Sequence, residues 1–430
     1  MNEELILHYV VLAISTLMLL VLWKRLWRDL GTGSRIVLGF TLGMYALTYL
    51  GGTILLFIGR EALIEHYYSG ALRAPNATPY GALLTLAALP IPVVSLSLWL
   101  FRRRRRVVLP DPDNGRDGGW SDRLAVVMTM GFALFLTRGL VAELMENALS
   151  GIAETGGLVD LYARRMATFE TMSALQGGMV YGTIPACAAM LLFQRSSLWR
   201  YLGAGIAALA LVLNIGLFQI GPLLVFGLTA LTSWLLLSNP RQFRQTLVIA
   251  AIIGCGLFVL YQGLKGDASG TVLTHLLLRM PIGLPYLWEY SQIAPLELVA
   301  SSSLSHDLGE YMFPELRRFE RFVAMPQPAF VAAYFQYGPA ASVALLCLVG
   351  FGVALVGRLL DRFWQRRHRV WIAVAFTPAM YYVFQVSLTE VLLSSYSFVF
   401  SVLPVVISLG LRLLFSRNYL QPVIFSDRNA

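Results

Sequence analysis

Apolar runs of about 18 to 22 residues recur along the whole chain, and that repetition limits the fold more than any other feature. A run of that length suits a helix crossing a hydrocarbon layer about 30 Å thick, where backbone polar groups must be satisfied within the segment itself. The chain has 430 residues, of which 57% are hydrophobic and only 13% charged. Soluble domains carry roughly 25% charged side chains, so a soluble fold is excluded. The expectation is an all-α polytopic membrane protein, with residues 1–430 as one integral domain.

The spacing predicts spans over 5–23, 36–58, 80–101, 124–145, 174–193, 247–264, 330–356, 371–388 and 398–414. The stretch 201–236 is too long for one crossing, and Gln219-Ile220-Gly221-Pro222 divides it into two spans with a tight turn between. The count is therefore about eleven spans. Between them lie a small polar segment, 147–173, and a large one, 263–326.

Charge orients the bundle. The formal net charge is +9, and the basic residues sit in short segments between spans, which marks topology rather than nucleic-acid binding. With the amino end outside, 23 of the 33 Lys and Arg residues fall in cytoplasmic segments, among them Arg102 to Arg106 and Arg366, Arg367 and Arg369. Cytoplasmic segments of membrane proteins carry such an excess, so the amino end is placed outside, the carboxyl end inside, and both polar segments outside. The start, Met1-Asn2-Glu3-Glu4, is acidic and is not expected to be a secretory signal.

This orientation narrows the chemistry. The cytoplasmic segments are short and basic, with no phosphate-cradling P-loop and no dinucleotide-binding glycine fingerprint. Any bond made here must draw on a substrate that arrives in the membrane already activated. Cys187, Cys255 and Cys347 are isolated within predicted spans and read as packing residues, and no His/Glu or Cys spacing indicates a metal or a cofactor.

Candidate chemistry lies in the outer segments and one span. In the large segment Pro314 is placed to open a short helix with Glu315 in its first turn. Arg317 and Arg321, four apart, share one face with Arg318 beside them, opposite Leu316 and Phe319. Such a helix either anchors to lipid phosphates or presents planar guanidinium forks to a lipid-linked pyrophosphate. Residues 271–280 read as another amphipathic turn, with His275 and Arg279 four apart. His306 and Glu310 have the same spacing, with Gly309 arguing against a helix there. A histidine beside a carboxylate suits a general base, and a solvated loop pair is the bland reading. Arg138 and Glu143 fall inside the span 124–145 near its outer end. Ionisable groups at that depth usually face a cavity, and a spacing of five puts the two on different faces, so each should have another partner. Arg164 and Arg165, after Tyr162, complete an arginine-rich outer surface drawn from three segments.

With these features the chain resembles the bacterial O-antigen polymerases, which join lipid-linked oligosaccharide repeat units. The resemblance rests on the span pattern with two unequal outer segments, on Asp160-Leu161-Tyr162-Ala163-Arg164-Arg165, and on Pro326-Gln327-Pro328-Ala329-Phe330 leading to Phe335-Gln336-Tyr337-Gly338. It departs where relatives carry an arginine, at Phe218-Gln219-Ile220-Gly221-Pro222 and before Thr389-Glu390. The resemblance implies a glycosyltransferase of the bacterial inner membrane that uses a polyprenyl-pyrophosphate-linked oligosaccharide, acts without a cofactor, and works beside membrane lipid and a chain-length regulator protein. Nucleic acid is not among its partners. Arg138, Arg164, Arg165, Arg279, Arg317, Arg318 and Arg321 would hold the pyrophosphate, and His306, Glu310 or Glu143 would take the proton of the attacking hydroxyl. An O-antigen ligase shares the donor and the topology. A lipid-linked oligosaccharide flippase or polysaccharide exporter is the non-enzymatic rival, disfavoured because intramembrane charges are few and lie near one side.

Overall fold

A computed structural model describes residues 24, 30–45, 89–100, 119–153, 168, 171–194, 196–217, 220–237, 283–301, 304–312, 327–362, 366–384 and 399–415. The described residues are all-helical, with no strand among them. The helices in chain order are α1 (Thr32–Tyr45), α2 (Pro90–Leu100), α3 (Trp120–Ala153), α4 (Ala174–Gly178), α5 (Ile184–Leu192), α6 (Ser197–Gly216) and α7 (Ile220–Leu237). They continue as α8 (Gly283–Ile293), α9 (Pro295–Ala300), α10 (Leu304–Met312), α11 (Ala329–Tyr337), α12 (Pro339–Arg362), α13 (Arg366–Val383) and α14 (Val399–Phe415). Four stretches among the described residues are long and apolar enough to cross a membrane, in α3, across α4 and α5, in α6 and in α12. The runs at 5–23 and 247–264 lie outside the described residues.

Local chemistry explains the boundaries. Ser173 caps α4 by accepting from the Gln176 amide at 3.2 Å, and Gln176 returns the bond to the Ser173 N–H, a reciprocal capping box. Between α4 and α5 the segment Met179–Thr183 is wound as a π-helix, with the Ile184 N–H bonded to the Met179 carbonyl. Pro185 follows directly and has no N–H for the Tyr181 carbonyl, so the wider turn absorbs it without breaking the helix. Pro404 inside α14 likewise frees the Phe400 carbonyl, which accepts the Thr183 hydroxyl at 2.9 Å. The stretch 201–236 is divided into two helices as expected, α6 ending at Gly216 and α7 beginning at Ile220, so Ile220, Gly221 and Pro222 open α7.

The run expected as one span over 330–356 is two elements. Gly338 has φ 87, a left-handed conformation that suits glycine, and Pro339 opens the next helix. The helix long and apolar enough to cross is therefore α12, and α11 is a short buried segment that brings the large polar segment into the core. Ser342 fastens the joint by donating to the Phe330 carbonyl at 2.8 Å.

Two hydrophobic cores hold the helices. One is built from α1, α2, α7 to α12 and part of α13, and the other from α3, the π-helical segment, α5, α6, α14 and the start of α13. Helix α13 contributes Phe376 and Met380 to the first and Trp371 and Val374 to the second, so it stands between them. Helix ends meet in matching sets. Asp361 near the end of α12 accepts the Gly33 N–H at 2.7 Å and the Ser34 hydroxyl at 2.6 Å at the start of α1. Arg412 near the end of α14 donates to Ser121 at the start of α3, 2.7 Å, and Arg369 at the start of α13 donates to the Leu236 carbonyl ending α7, 2.8 Å. Each partner in these contacts falls on the side that the charge pattern assigns to the cytoplasm.

Candidate functional site

The large polar segment is built more firmly than its composition indicates. Helices α8, α9 and α10 bury Leu284, Tyr286, Leu287, Leu298, Leu304, Leu308 and Met312 in the first core. Tyr290 of α8 packs on Tyr311 of α10 with ring centroids 5.3 Å apart, and Trp288 meets Phe335 of α11 edge-on at 5.8 Å. The amide of Gln336 donates to the carbonyls of Leu298 and Ser301, 3.1 and 3.3 Å, and so ties the end of α9 to α11. The polar groups of this cap therefore stand on a rigid base.

Helix α10 brings His306 and Glu310 together: Nε2 of the imidazole lies 3.4 Å from Oε1 of the carboxylate, with the two side chains 36% and 28% exposed. Gly309, read as weakening a helix, is buried within it, and the apolar contacts of Leu304, Leu308 and Met312 outweigh its poor propensity. Behind the pair, the Tyr290 hydroxyl donates to Glu297 at 3.3 Å. Burial, the negative charges of Asp307 and Glu297, the bond to Glu297 and the charge of Glu310 together push the Tyr290 phenol up to about 12. Tyr290 thus stays a neutral donor among carboxylates. Residues 283–301 and 304–312 contain Glu289, Glu297, Asp307 and Glu310 and no Lys or Arg. These two stretches supply acceptors for protons and hydroxyl hydrogen bonds.

The other described candidates are on α3, in the second core's helices. Glu143 accepts the Thr168 hydroxyl at 2.7 Å, and Asn147 donates to that same hydroxyl oxygen at 3.3 Å. Arg138 is exposed, with its guanidinium over the Phe135 ring at 5.8 Å from the centroid. As their spacing predicts, each has its own partner and no ion pair joins them among the described residues. The structure therefore joins His306 to Glu310 but carries Arg138 and Glu143 on the other core. Arg164, Arg165, Arg279, Arg317, Arg318 and Arg321 lie outside the described residues.

Compared with family models, curated proteins and solved structures, the chain matches none.

Sequence reasoning missed Tyr290 and Glu297. Pro295, which opens α9, was the available signal, because proline favours the first helical turn and Glu297 follows within that turn. Among the described residues no group of three or more His, Cys, Asp or Glu side chains is placed to hold a metal ion.

Proposed function

We propose that this chain is a glycosyltransferase of the bacterial inner membrane that polymerises polyprenyl-pyrophosphate-linked oligosaccharide repeat units at the periplasmic face, with its amino end periplasmic and its carboxyl end cytoplasmic. The observation that carries the reading is the His306–Glu310 pair, 3.4 Å apart on a helix anchored in the core and set in an acidic surface. In the proposed reaction the hydroxyl oxygen of the incoming unit attacks the anomeric carbon of the growing glycan. The bond from that carbon to the pyrophosphate breaks, and the polyprenyl pyrophosphate leaves with the electron pair. His306, oriented by Glu310, takes the hydroxyl proton, a general-base role suited to imidazole. Arg138 and the arginines of the outer segments neutralise the leaving group. The lipid carries the activation, which accords with a sequence that has no nucleotide-binding motif.

The test is deletion of the gene followed by gel analysis of the surface polysaccharide. Loss of the ladder with single repeat units still attached supports the polymerase. Loss of all units from the lipid core would identify the ligase instead, and an unchanged ladder would sink both.

A further inference from the structure

The elbow where α8 turns into α9 carries apolar side chains outward from a segment that is polar in composition. Ile293 closes α8, and Leu296, Val299 and Ala300 fall within one arc of α9 by helical spacing, with Leu298 turned the other way into the first core. Leu296 is 84% exposed and Ile293 59%, and Val299 and Ala300 are exposed beside them. The elbow is firmly built. The Ala294 N–H donates to the Tyr290 carbonyl at 2.9 Å, and the Leu298 N–H donates to the Ala294 carbonyl at 3.0 Å. Glu297, the charged residue of α9, is held by the Tyr290 hydroxyl. Single exposed leucines are ordinary, but a fixed cluster of apolar tips marks an interaction surface.

What meets that surface follows from its height. The stretch Pro339 to Gly357 of α12 holds no charged residue, and Arg358 follows it. At 1.5 Å per residue the stretch covers about 28 Å, close to the hydrocarbon thickness of about 30 Å. Pro339 therefore marks one boundary of the bilayer. Tyr337, exposed just before it, stands at the level where aromatic side chains favour the headgroups. Helix α11 keeps to that level along its length. Its Tyr337 end joins α12 at Pro339, and its Phe330 end accepts the Ser342 hydroxyl, less than one turn further in. Phe330 also packs on Phe384, at the end of α13, with ring centroids 6.0 Å apart. Gln336 then ties α9 to the same level through Leu298 and Ser301. The elbow thus stands at the head of the outward face of α12, on which Val343, Leu348 and Phe351 are exposed.

We infer that the α8–α9 elbow is a membrane-docking element, with Ile293, Leu296 and Val299 seated where headgroups meet acyl chains on the Pro339 side of the bilayer. The occupant is lipid because the elbow is tied at the level of the boundary, and Tyr337 continues its exposed apolar surface toward the lipid face of α12. Docking also fixes the height of the cap. Helix α8 is joined to α10 by the contact of Tyr290 with Tyr311, so the His306–Glu310 pair is kept within roughly two helix diameters, about 20 Å, of the bilayer surface. That placement is independent of the reaction the pair performs and of the compartment the cap faces.

The experiment uses the full chain in phosphatidylcholine nanodiscs, with a diazirine-bearing amino acid in place of Leu296, Gln292 or Phe351, one at a time. All three are exposed positions, Gln292 serving as the polar reference on α8 and Phe351 as the lipid reference on α12. After illumination, mass spectrometry should find lipid adducts at Leu296 at close to the Phe351 yield and about threefold or more above the Gln292 yield. With the diazirine moved to Ile293, Leu296→Asp should cut its lipid adducts at least about twofold, because a carboxylate draws the elbow toward water, while the thermal midpoint stays where it was. Water adducts alone at Leu296, at the Gln292 level, overturn the inference. So do crosslinks from Leu296 to protein, which would put a second copy or another part of this chain on the elbow.

Discussion

His306 and Glu310 are 36% and 28% exposed, so replacing either should disturb activity far more than folding. His306→Gln and Glu310→Gln are each expected to slow polymerisation by about 10² to 10⁴-fold, the usual range for a general base, at unchanged expression. A variant that keeps the wild-type rate in a purified polymerisation assay removes that residue from the proton path. Tyr290 gives a second, chemical check on the same cap. Its phenol is held at about 12, above the ordinary 10, so the folded state binds this proton more tightly than the unfolded one. The stability it contributes is complete below pH of about 10 and is lost as pH rises toward about 12. Unfolding midpoints of wild type and Tyr290→Phe compared across that interval should show a steeper alkaline decline in the wild type. Parallel curves would mean that the phenol is not held among Glu297, Asp307 and Glu310.

At the scale of elements, the close approaches between helices predict where substitutions hurt. A side-chain carbon on Gly216 at the end of α6 would strike the Leu144 carbonyl of α3, so Gly216→Ala should push the two helices apart and lower the thermal midpoint. Thr183→Val should cost about 1 to 3 kcal/mol by leaving the Phe400 carbonyl, already freed by Pro404, without its donor. Thermal unfolding in detergent measures both, and an unchanged midpoint in Thr183→Val would show that water replaces the hydroxyl. These elements differ in how well the sequence announces them. The division of 201–236 into two helices follows the turn residues, although Ile220, Gly221 and Pro222 open α7 instead of lying between the helices. The break at Gly338 is hidden because apolar residues continue on both sides, so hydropathy reads one span where backbone conformation makes two helices. The helices of 283–312 were obscured for the opposite reason. Their charged and hydroxyl residues read as solvated loop, while the leucines that bury them in the first core are spaced too irregularly to stand out. Within the site, spacing alone paired His306 with Glu310 and separated Arg138 from Glu143, but the Tyr290–Glu297 contact spans two helices and has no local signature.

At the scale of the molecule, the pairing of helix ends carries the argument about sidedness. The contacts of Asp361 with Gly33, Arg412 with Ser121 and Arg369 with Leu236 each join two ends that the arginine distribution assigns to one side. Arginine distribution and three-dimensional packing are independent physical quantities, one set by the membrane's response to charge and the other by side-chain fit. If the assignment holds, a cysteine placed in the cap and one placed near the start of α6 must face opposite compartments. Gln292 of α8 and Ser197 of α6 are both exposed positions outside the residues assigned to chemistry. In a background lacking the native cysteines, Gln292→Cys should react with a membrane-impermeant thiol reagent when only the periplasm is open to it. Ser197→Cys should react only after the inner membrane is broken. The reversed pattern would turn the bundle over and place His306 and Glu310 in the cytoplasm, where the proposed lipid-activated chemistry loses its reason. Labelling of both positions from outside would mean that the span count between α6 and α8 is even where an odd number is required.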